Sequence, residues 1–132
     1  MILVDASVWM DYLNGLPTPE ADWLDVNLET ERLGMTDLTL CEVLQGVKGR
    51  DEARHVREYL LGFEIFATGG TELALAAAAN YRFLRERGLT VRKTIDCWVA
   101  SFCLREGHAL LQRDRDFDGF EQFLGLEVVR PA

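Results

Sequence analysis

The sequence predicts an α/β fold, namely a three-layer α/β/α sandwich around a central, mainly parallel sheet of about five strands. Short apolar runs typical of buried strands alternate along the chain with longer segments in which apolar residues recur at helical spacing. Strands that alternate with helices in this way imply a parallel sheet with helices on both faces. The 132 residues, 48% of them apolar, are enough for one hydrophobic core. We therefore expect a single domain over residues 1–132.

The N-terminal half begins with an apolar, β-branched run, Ile2–Val4, which is typical of a fully buried strand. Ser7 is a candidate cap for a helix over about 7–13, and Asn14-Gly15 would end that helix. The elements expected next are an acidic helix at about 20–32, a weak strand at 33–35, a helix that follows Thr36 and ends near Gly46, and a charged helix at 51–61.

The C-terminal half contains the two longest helical patterns. Residues 71–87 form one, with Gly88 as its stop, and residues 94–106 form the other, which Gly107 ends. The remaining expected elements are strands at 63–67, 109–111 and 126–129, with a polar turn at 113–119 between the last two. The expected total is about five strands and six or seven helices.

The formal net charge of -8 at first argues against nucleic acid as a partner, because affinity for a phosphate backbone comes from lysine and arginine. The charges are, however, unevenly distributed. Eight of the 14 basic residues lie between positions 82 and 115, whereas residues 18–31 hold five acids and no base. A bound divalent ion would also cancel part of the acidic total. Net charge therefore does not exclude a nucleic-acid substrate.

The same composition disfavours several classes of protein. The longest apolar run, residues 73–79, is far shorter than the ~20 residues of a membrane span, and the start MILVDAS lacks the features of a signal peptide. The three cysteines form no CxxC pair, which is typical of small core residues in a reduced cytosol. We therefore expect a cytoplasmic protein without a membrane partner. With only two histidines, a histidine-rich zinc site is not expected.

Four acids that are far apart in the sequence are predicted to meet at one edge of the sheet. Asp5 and Asp114 follow strands, and the carboxyl ends of parallel strands share an edge where ligands bind. The helices return antiparallel to the strands, so helix N-termini lie at that edge as well. Glu42 is in the first half of its helix, and Asp96 is in the first turn of its own. The topology therefore brings four carboxylates to one rim.

Carboxylates this close repel one another, and one would take up a proton unless a cation lay between them. Oxygen ligands without nearby histidine or cysteine suit Mg²⁺ or Mn²⁺, which keep several waters and contact substrate phosphates. Such an ion lowers the pKa of bound water, orients the water for in-line attack and stabilises the leaving oxygen. The pattern therefore indicates a metal-dependent enzyme that hydrolyses a phosphodiester.

Each acid also has an ordinary structural interpretation. Asp5 is a good helix cap, Asp96 would complement a helix dipole, and Asp114 lies in an aspartate-rich turn. Glu42 is about 160° away from the apolar stripe of its helix, which by itself favours an exposed side chain. The agreement of four positions on one edge, rather than any single position, favours the metal site.

Four segments of the chain resemble a PIN-domain ribonuclease and, more closely, a VapC-type toxin of a toxin–antitoxin pair. They are, in order, ILVDASVWMDYL, TLCEVLQGV, TVRKTIDCWVASFCL and LLQRDRDF. The resemblance covers nearly the whole chain in register. It implies a PIN-like fold and an acidic metal-binding set of Asp5, Glu42, Asp96 and Asp114, with Asp116 as an additional ligand.

The resemblance further implies an endoribonuclease that depends on Mg²⁺ or Mn²⁺ and cleaves single-stranded or loop RNA by metal-activated water. VapC-like proteins typically form homodimers and are held inactive by a VapB-like antitoxin, which wraps the toxin and can place a basic side chain near the acidic site. Ser7 and Thr94 would support the metal ligands, although helix capping explains both residues nearly as well. Arg113 departs from the pattern, because many relatives have a small polar residue there. It would either contact RNA phosphate or alter the local hydrogen bonding.

Three other functions remain as alternatives. A PIN-like nuclease that is not a toxin would use the same acids, and a catalytically silent, partner-binding module is disfavoured because the four acids are intact. A haloacid-dehalogenase-like phosphatase would use Asp5 as its nucleophile. That class has an aspartate two residues later, where this chain has Ser7, and the chain offers no obvious room for a cap domain.

Overall fold

The computed structural model describes residues 1–131, which contain one sheet of four parallel strands. The strands are β1 (Ile2–Val4), β2 (Leu33–Thr36), β3 (Glu64–Phe66) and β4 (Ala109–Leu111). Their order across the sheet is β3-β2-β1-β4, and Ile2 is paired with Leu33 on one side and with Ala109 on the other. Because β1 is an interior strand, the residue that follows it lies between the carboxyl ends of its neighbours.

Seven α-helices cover this sheet within the described residues, in agreement with the six or seven expected. They are α1 (Ala6–Leu13), α2 (Pro19–Asn27), α3 (Asp37–Gly46), α4 (Arg50–Leu60), α5 (Thr71–Glu86), α6 (Thr94–Glu106) and α7 (Asp118–Leu124), with a short 3₁₀ helix, Arg115–Phe117, before α7. From residue 1 to residue 131, none of these helices has the length and apolar character needed to cross a membrane.

Alternate side chains of the strands contribute to two cores, one on each face of the sheet. Leu3 and Leu110 belong to the core formed with α5, α6 and α7. Val4 and Leu111 belong to the core formed with helices α1 to α4. The chain is therefore the three-layer α/β/α sandwich that the alternation of strands and helices predicted.

Two helices that begin at the carboxyl edge of the sheet are started by side-chain caps. Asp5 caps α1, because its carboxylate accepts the backbone N–H of Ser7. The expectation that Ser7 itself caps this helix is therefore wrong. Thr36 caps α3 by accepting the backbone N–H of Thr39 at 3.1 Å. Both caps are the residues at which a strand passes directly into a helix.

The prediction of a polar turn at 113–119 is wrong, since most of this segment forms the 3₁₀ helix and the start of α7. Phe117 and Phe120 are fully buried in the core formed with α5 and α6. Burial of these two aromatic side chains holds the segment against the domain. The aspartates of this region are therefore part of an ordered helical element.

The fifth strand expected at 126–129 makes only one parallel bridge, between Leu110 and Val128. The backbone N–H of Leu126 bonds instead to the oxygen of Phe120, at the end of α7. The start of the segment therefore terminates α7, and pairing with β4 is limited to the single bridge at Leu110. The sheet within the described residues therefore has four strands, fewer than the five or so expected.

Candidate metal centre

Asp5 lies between β1 and α1 and is 3% exposed. Its Oδ2 accepts hydrogen bonds from the backbone N–H of Ser7 at 3.0 Å and from the Ser7 hydroxyl at 2.6 Å. The backbone N–H of Asp5 donates to the oxygen of Leu111 at 2.9 Å, which fixes Asp5 against the end of β4. Its Oδ1 is buried and has no hydrogen-bond partner among residues 1–131. The helix cap therefore uses one carboxylate oxygen and leaves the other unpaired.

Glu42 and Asp96 reach the same place from two helices. Asp96 is in the first turn of α6 and is 2% exposed. Glu42 is partly buried on α3, which packs against α6. Its position on the helix alone favoured solvent, but the packing of a second helix beside α3 covers part of its side chain. Asp96 Oδ2 and Glu42 Oε1 are both buried without a hydrogen-bond partner in the described part of the chain.

The acids form two groups of three that share one member. In the inner triad, which consists of Asp5, Glu42 and Asp96, each residue offers an oxygen, and these oxygens lie within 4.8 Å of one another. In the outer triad, which consists of Asp96, Asp114 and Asp116, the same limit holds. The structure thus brings together all five acids that were expected to bind a metal. Their role as ligands stays a prediction.

Two basic residues that the sequence did not single out cover the outer triad. Arg92 Nη2 is 2.8 Å from Asp114 Oδ1, Arg92 Nε is 2.9 Å from Asp116 Oδ1, and Lys93 Nζ is 3.4 Å from Asp114 Oδ2. The backbone N–H groups of Arg92 and Lys93 also donate to Asp116, each at 3.2 Å. Two adjacent basic residues directly before α6 are the only sequence signal of this contact, and 22 residues separate Arg92 from Asp114. No local pattern connects them over that separation.

The backbone around the two outer aspartates is also fixed by hydrogen bonds. Asp114 caps the 3₁₀ helix, because its Oδ1 accepts the backbone N–H of Asp116 at 2.9 Å. The backbone N–H of Asp114 in turn donates to the side chain of Gln112, a buried polar residue that the sequence did not single out. The positions of the outer carboxylates therefore depend on this turn as well as on the basic residues.

Burial is the main cause that raises the pKa of every carboxyl group in the inner triad. It raises the pKa of Asp5, and burial followed by the charge of Asp5 raises the pKa of Glu42. Burial, a hydrogen bond with Asp116 and the charge of Asp5 raise the pKa of Asp96 to about 8. Burial also opposes the charge of Asp116, but hydrogen bonds from Arg92 hold the pKa of Asp116 below its usual range. The outer triad therefore has neutralising cations within the chain, and the inner triad favours protonation unless a cation binds.

The two residues expected to support the ligands differ in their contacts. The Ser7 hydroxyl donates to Asp5 and accepts the backbone N–H of Arg113 at 3.2 Å, which links α1 to the loop after β4. Thr94 is exposed at the start of α6, and within residues 1–131 its side chain makes no hydrogen bond to the acids. Its supporting role stays a prediction. The guanidinium of Arg113 pairs with Asp11 at 3.1 Å rather than with an acid of either triad.

Comparison with known proteins identifies the family of this chain. The family model of the PIN domain matches residues 2–121. Ribonuclease VapC11 from Mycobacterium tuberculosis is 28% identical over 131 residues, which cover 98% of this chain and 98% of that protein. A VapC ribonuclease from Mycobacterium bovis is also 28% identical, with the same coverage of both chains.

Solved structures show the same fold. A chain in the crystal structure of VapBC2 from Rickettsia felis, bound to a promoter DNA fragment, matches with a TM-score of 0.76 and 16% identity over 98% of both chains. A chain of FitAcB from Neisseria gonorrhoeae matches with a TM-score of 0.75 and 20% identity, over 99% of this chain and 98% of that one. VapBC-1 from nontypeable Haemophilus influenzae gives a TM-score of 0.73 and 18% identity, over 98% of this chain and 97% of that one. At these identities the likeness concerns the fold alone.

Proposed function

Because the chain belongs to the PIN-domain family, we propose that it is a metal-dependent endoribonuclease, a VapC-like toxin that hydrolyses RNA phosphodiester bonds. Both named relatives are ribonucleases, which supports the activity. Solved assemblies of this fold carry the name VapBC, which supports a VapB-like antitoxin as the partner that holds this chain inactive. We expect the active form to be a homodimer in the cytoplasm.

The observation that carries this proposal is the inner triad. Asp5 and Asp96 are almost completely buried, and together with Glu42 they present buried oxygens that no group in residues 1–131 hydrogen-bonds. Leaving such a group buried and unpaired costs about 1–3 kcal/mol of folding free energy, and more if the group is charged. A protein retains three adjacent unpaired carboxylates most readily where a bound cation pairs with them.

The donor set fits Mg²⁺ or Mn²⁺. The inner triad offers only carboxylate oxygens, the hard ligands that these ions prefer, and no histidine or cysteine belongs to either group of acids. Asp5, Glu42 and Asp96 would hold the ion, and Asp114 and Asp116, which the family resemblance also implies as ligands, lie beside them in the outer triad. When bound, a divalent ion supplies activation of a water for in-line attack and stabilisation of the leaving oxygen.

The chain's own groups prepare the carboxylates for this role. The two hydrogen bonds from Ser7 fix Asp5 through Oδ2, so that Oδ1 keeps one orientation. The N-terminus of α6 favours the ionised form of Asp96, an effect of about 0.3–1 kcal/mol at exposed positions. Burial of both residues excludes competing water.

Induced expression in bacterial cells tests the proposal. The parent chain is expected to arrest growth and to leave new RNA ends, whereas Asp96→Asn is expected to do neither, because it removes the acid shared by both triads. Asp118→Asn, an exposed aspartate at the start of α7, is the matched control and should behave like the parent.

The possible results separate the alternatives. Growth arrest by Asp96→Asn as strong as that of the parent would show that the acids are not the source of toxicity. RNA cleavage by the parent without growth arrest would favour a PIN-like nuclease that is not a toxin. Absence of both would favour a partner-binding module.

A further inference from the structure

The inner and outer triads differ in how their negative charge is compensated. Asp114 and Asp116 are paired with Arg92 and Lys93, two positive charges for two carboxylates. Within residues 1–131 no lysine or arginine forms an ion pair with Asp5, Glu42 or Asp96. The charge of Lys93 does act on Glu42 and Asp96, where it opposes the rise in pKa that burial causes. The inner triad is therefore the group whose carboxylates have no directly paired base in the described part of the chain, and the place where a divalent cation would be needed most.

Arg92 is held in this position by more than one contact. Its Nε and Nη2 bridge Asp116 and Asp114, and its own backbone N–H donates to the same Asp116 oxygen as Nε does. The backbone N–H of Lys93 occupies the second oxygen of Asp116 at 3.2 Å. Both oxygens of Asp116 are thus engaged by the segment that leads into α6. Asp116 therefore serves as an anchor for this segment.

The acids under this guanidinium are shielded from solvent. The side chains of Asp116 and Asp114 are 2% and 13% exposed, whereas that of Arg92 is 50% exposed. A pair with buried carboxylates is screened less than an ordinary surface ion pair. The exposed half of Arg92 leaves the guanidinium a path into solvent without movement of the backbone.

We propose that Arg92 is a built-in cation that occupies the outer triad, so that the resting protein binds one divalent ion, at the inner triad, and excludes a second. A second ion enters beside Asp114 and Asp116 only when the guanidinium leaves. Arg92 is then a positioning residue that sets the number of bound ions. This inference rests on the proposed metal site.

Counting bound Mn²⁺ tests the inference without RNA or catalysis. Equilibrium dialysis of the full chain against Mn²⁺, followed by metal analysis, should give one ion per chain for the parent. Arg92→Gln should give two, because it removes the guanidinium charge from between Asp114 and Asp116, while the backbone N–H bonds to Asp116 and the Lys93 contact with Asp114 remain. Arg113→Gln is the matched control, since it removes a positive charge that pairs with Asp11 nearby, and it should keep one ion.

Three results would overturn the inference. They are two ions bound by the parent, one ion bound by a folded Arg92→Gln variant, and two ions bound by Arg113→Gln. If Arg92→Gln fails to fold, Arg92→Met, which also removes the charge and keeps a long side chain, should bind two ions, and one ion bound by the folded Arg92→Met variant would overturn the inference. Arg92→Lys, which keeps the charge, should still bind one ion. Failure of the parent to bind any Mn²⁺ would instead overturn the proposed metal site, and with it this inference.

Discussion

Single residues at the rim use some of their side-chain atoms for a structural role and leave others for further contacts. Asp5 caps α1 through Oδ2, and its Oδ1 is buried with no hydrogen-bond partner among residues 1–131. The cap and the ligand are therefore compatible interpretations of the same side chain. Asp114 likewise caps the 3₁₀ helix while it contacts Arg92. Capping residues at the carboxyl edge of this sheet are thus available for a second function.

The raised pKa of Asp96 predicts how stability depends on pH. Since this pKa is about 8 in the folded chain and 3.8 in a free aspartate, the folded state binds the proton more tightly. Its contribution to stability is present at low pH and is lost as pH rises through about 8. Asp96→Asn does not titrate. In the presence of EDTA, its stability relative to the parent should rise with pH and level off above about 8.

Chemical denaturation of the two proteins from about pH 5 to about pH 9 measures this difference. Because groups away from the two triads titrate equally in both proteins, the comparison isolates Asp96 together with the charged groups that interact with it. A stability difference that is constant across this range would contradict the raised pKa of Asp96.

The sequence could locate the acids but not the bases that cover them. Strand ends and helix starts follow from local patterns, and these place Asp5, Asp96 and Asp114 at one edge. The topology also placed Glu42 near that edge, but its helix face alone favoured solvent, and the family resemblance supported it. The contacts of Arg92 depend on a long-range meeting of the segment before α6 with the turn after β4. No periodicity within either segment predicts that meeting.

At the scale of elements, the helices and strands with clear local patterns were predicted well, and the C-terminal region was not. The bounds of β1, α6 and β4 match the sequence expectation. The segment after β4 is rich in aspartate, which suggested a turn. Burial of Phe117 and Phe120 makes it helical, and this tertiary packing has no signal in the local composition. The expected last strand is likewise limited by where α7 ends.

One aromatic side chain is expected to anchor α7. Phe120 is 0% exposed and Phe123, on the same helix, is 42% exposed. Phe120→Ala should lower the free energy of unfolding by about 3–5 kcal/mol, because it leaves a cavity in the core. Phe123→Ala, the matched control, should change it by no more than about 0.5 kcal/mol. Equal losses in urea denaturation would show that the helix is not anchored through Phe120.

At the scale of the whole molecule, the parallel topology is what assembles the site. The acids come from four separate parts of the chain, and the shared edge of strand ends and helix N-termini brings them together. The net charge of -8 gives no indication of a phosphate-containing substrate. The proposal rests instead on the local arrangement of charge, since the three carboxylates of the inner triad have no directly paired base among residues 1–131 and the adjacent outer triad is paired with Arg92 and Lys93. The proposed function therefore depends on the placement of charges rather than on their sum.

RNA cleavage by the purified protein as a function of Mn²⁺ concentration tests the central claim most directly. The parent should cleave RNA only with added Mn²⁺ and should lose this activity in EDTA. Asp5→Asn should reduce the rate by more than the ~10–100-fold that loss of an outer-shell partner costs, while Asp118→Asn retains it. Cleavage by Asp5→Asn at the rate of the parent, or cleavage by the parent in EDTA, would contradict a metal site at the inner triad.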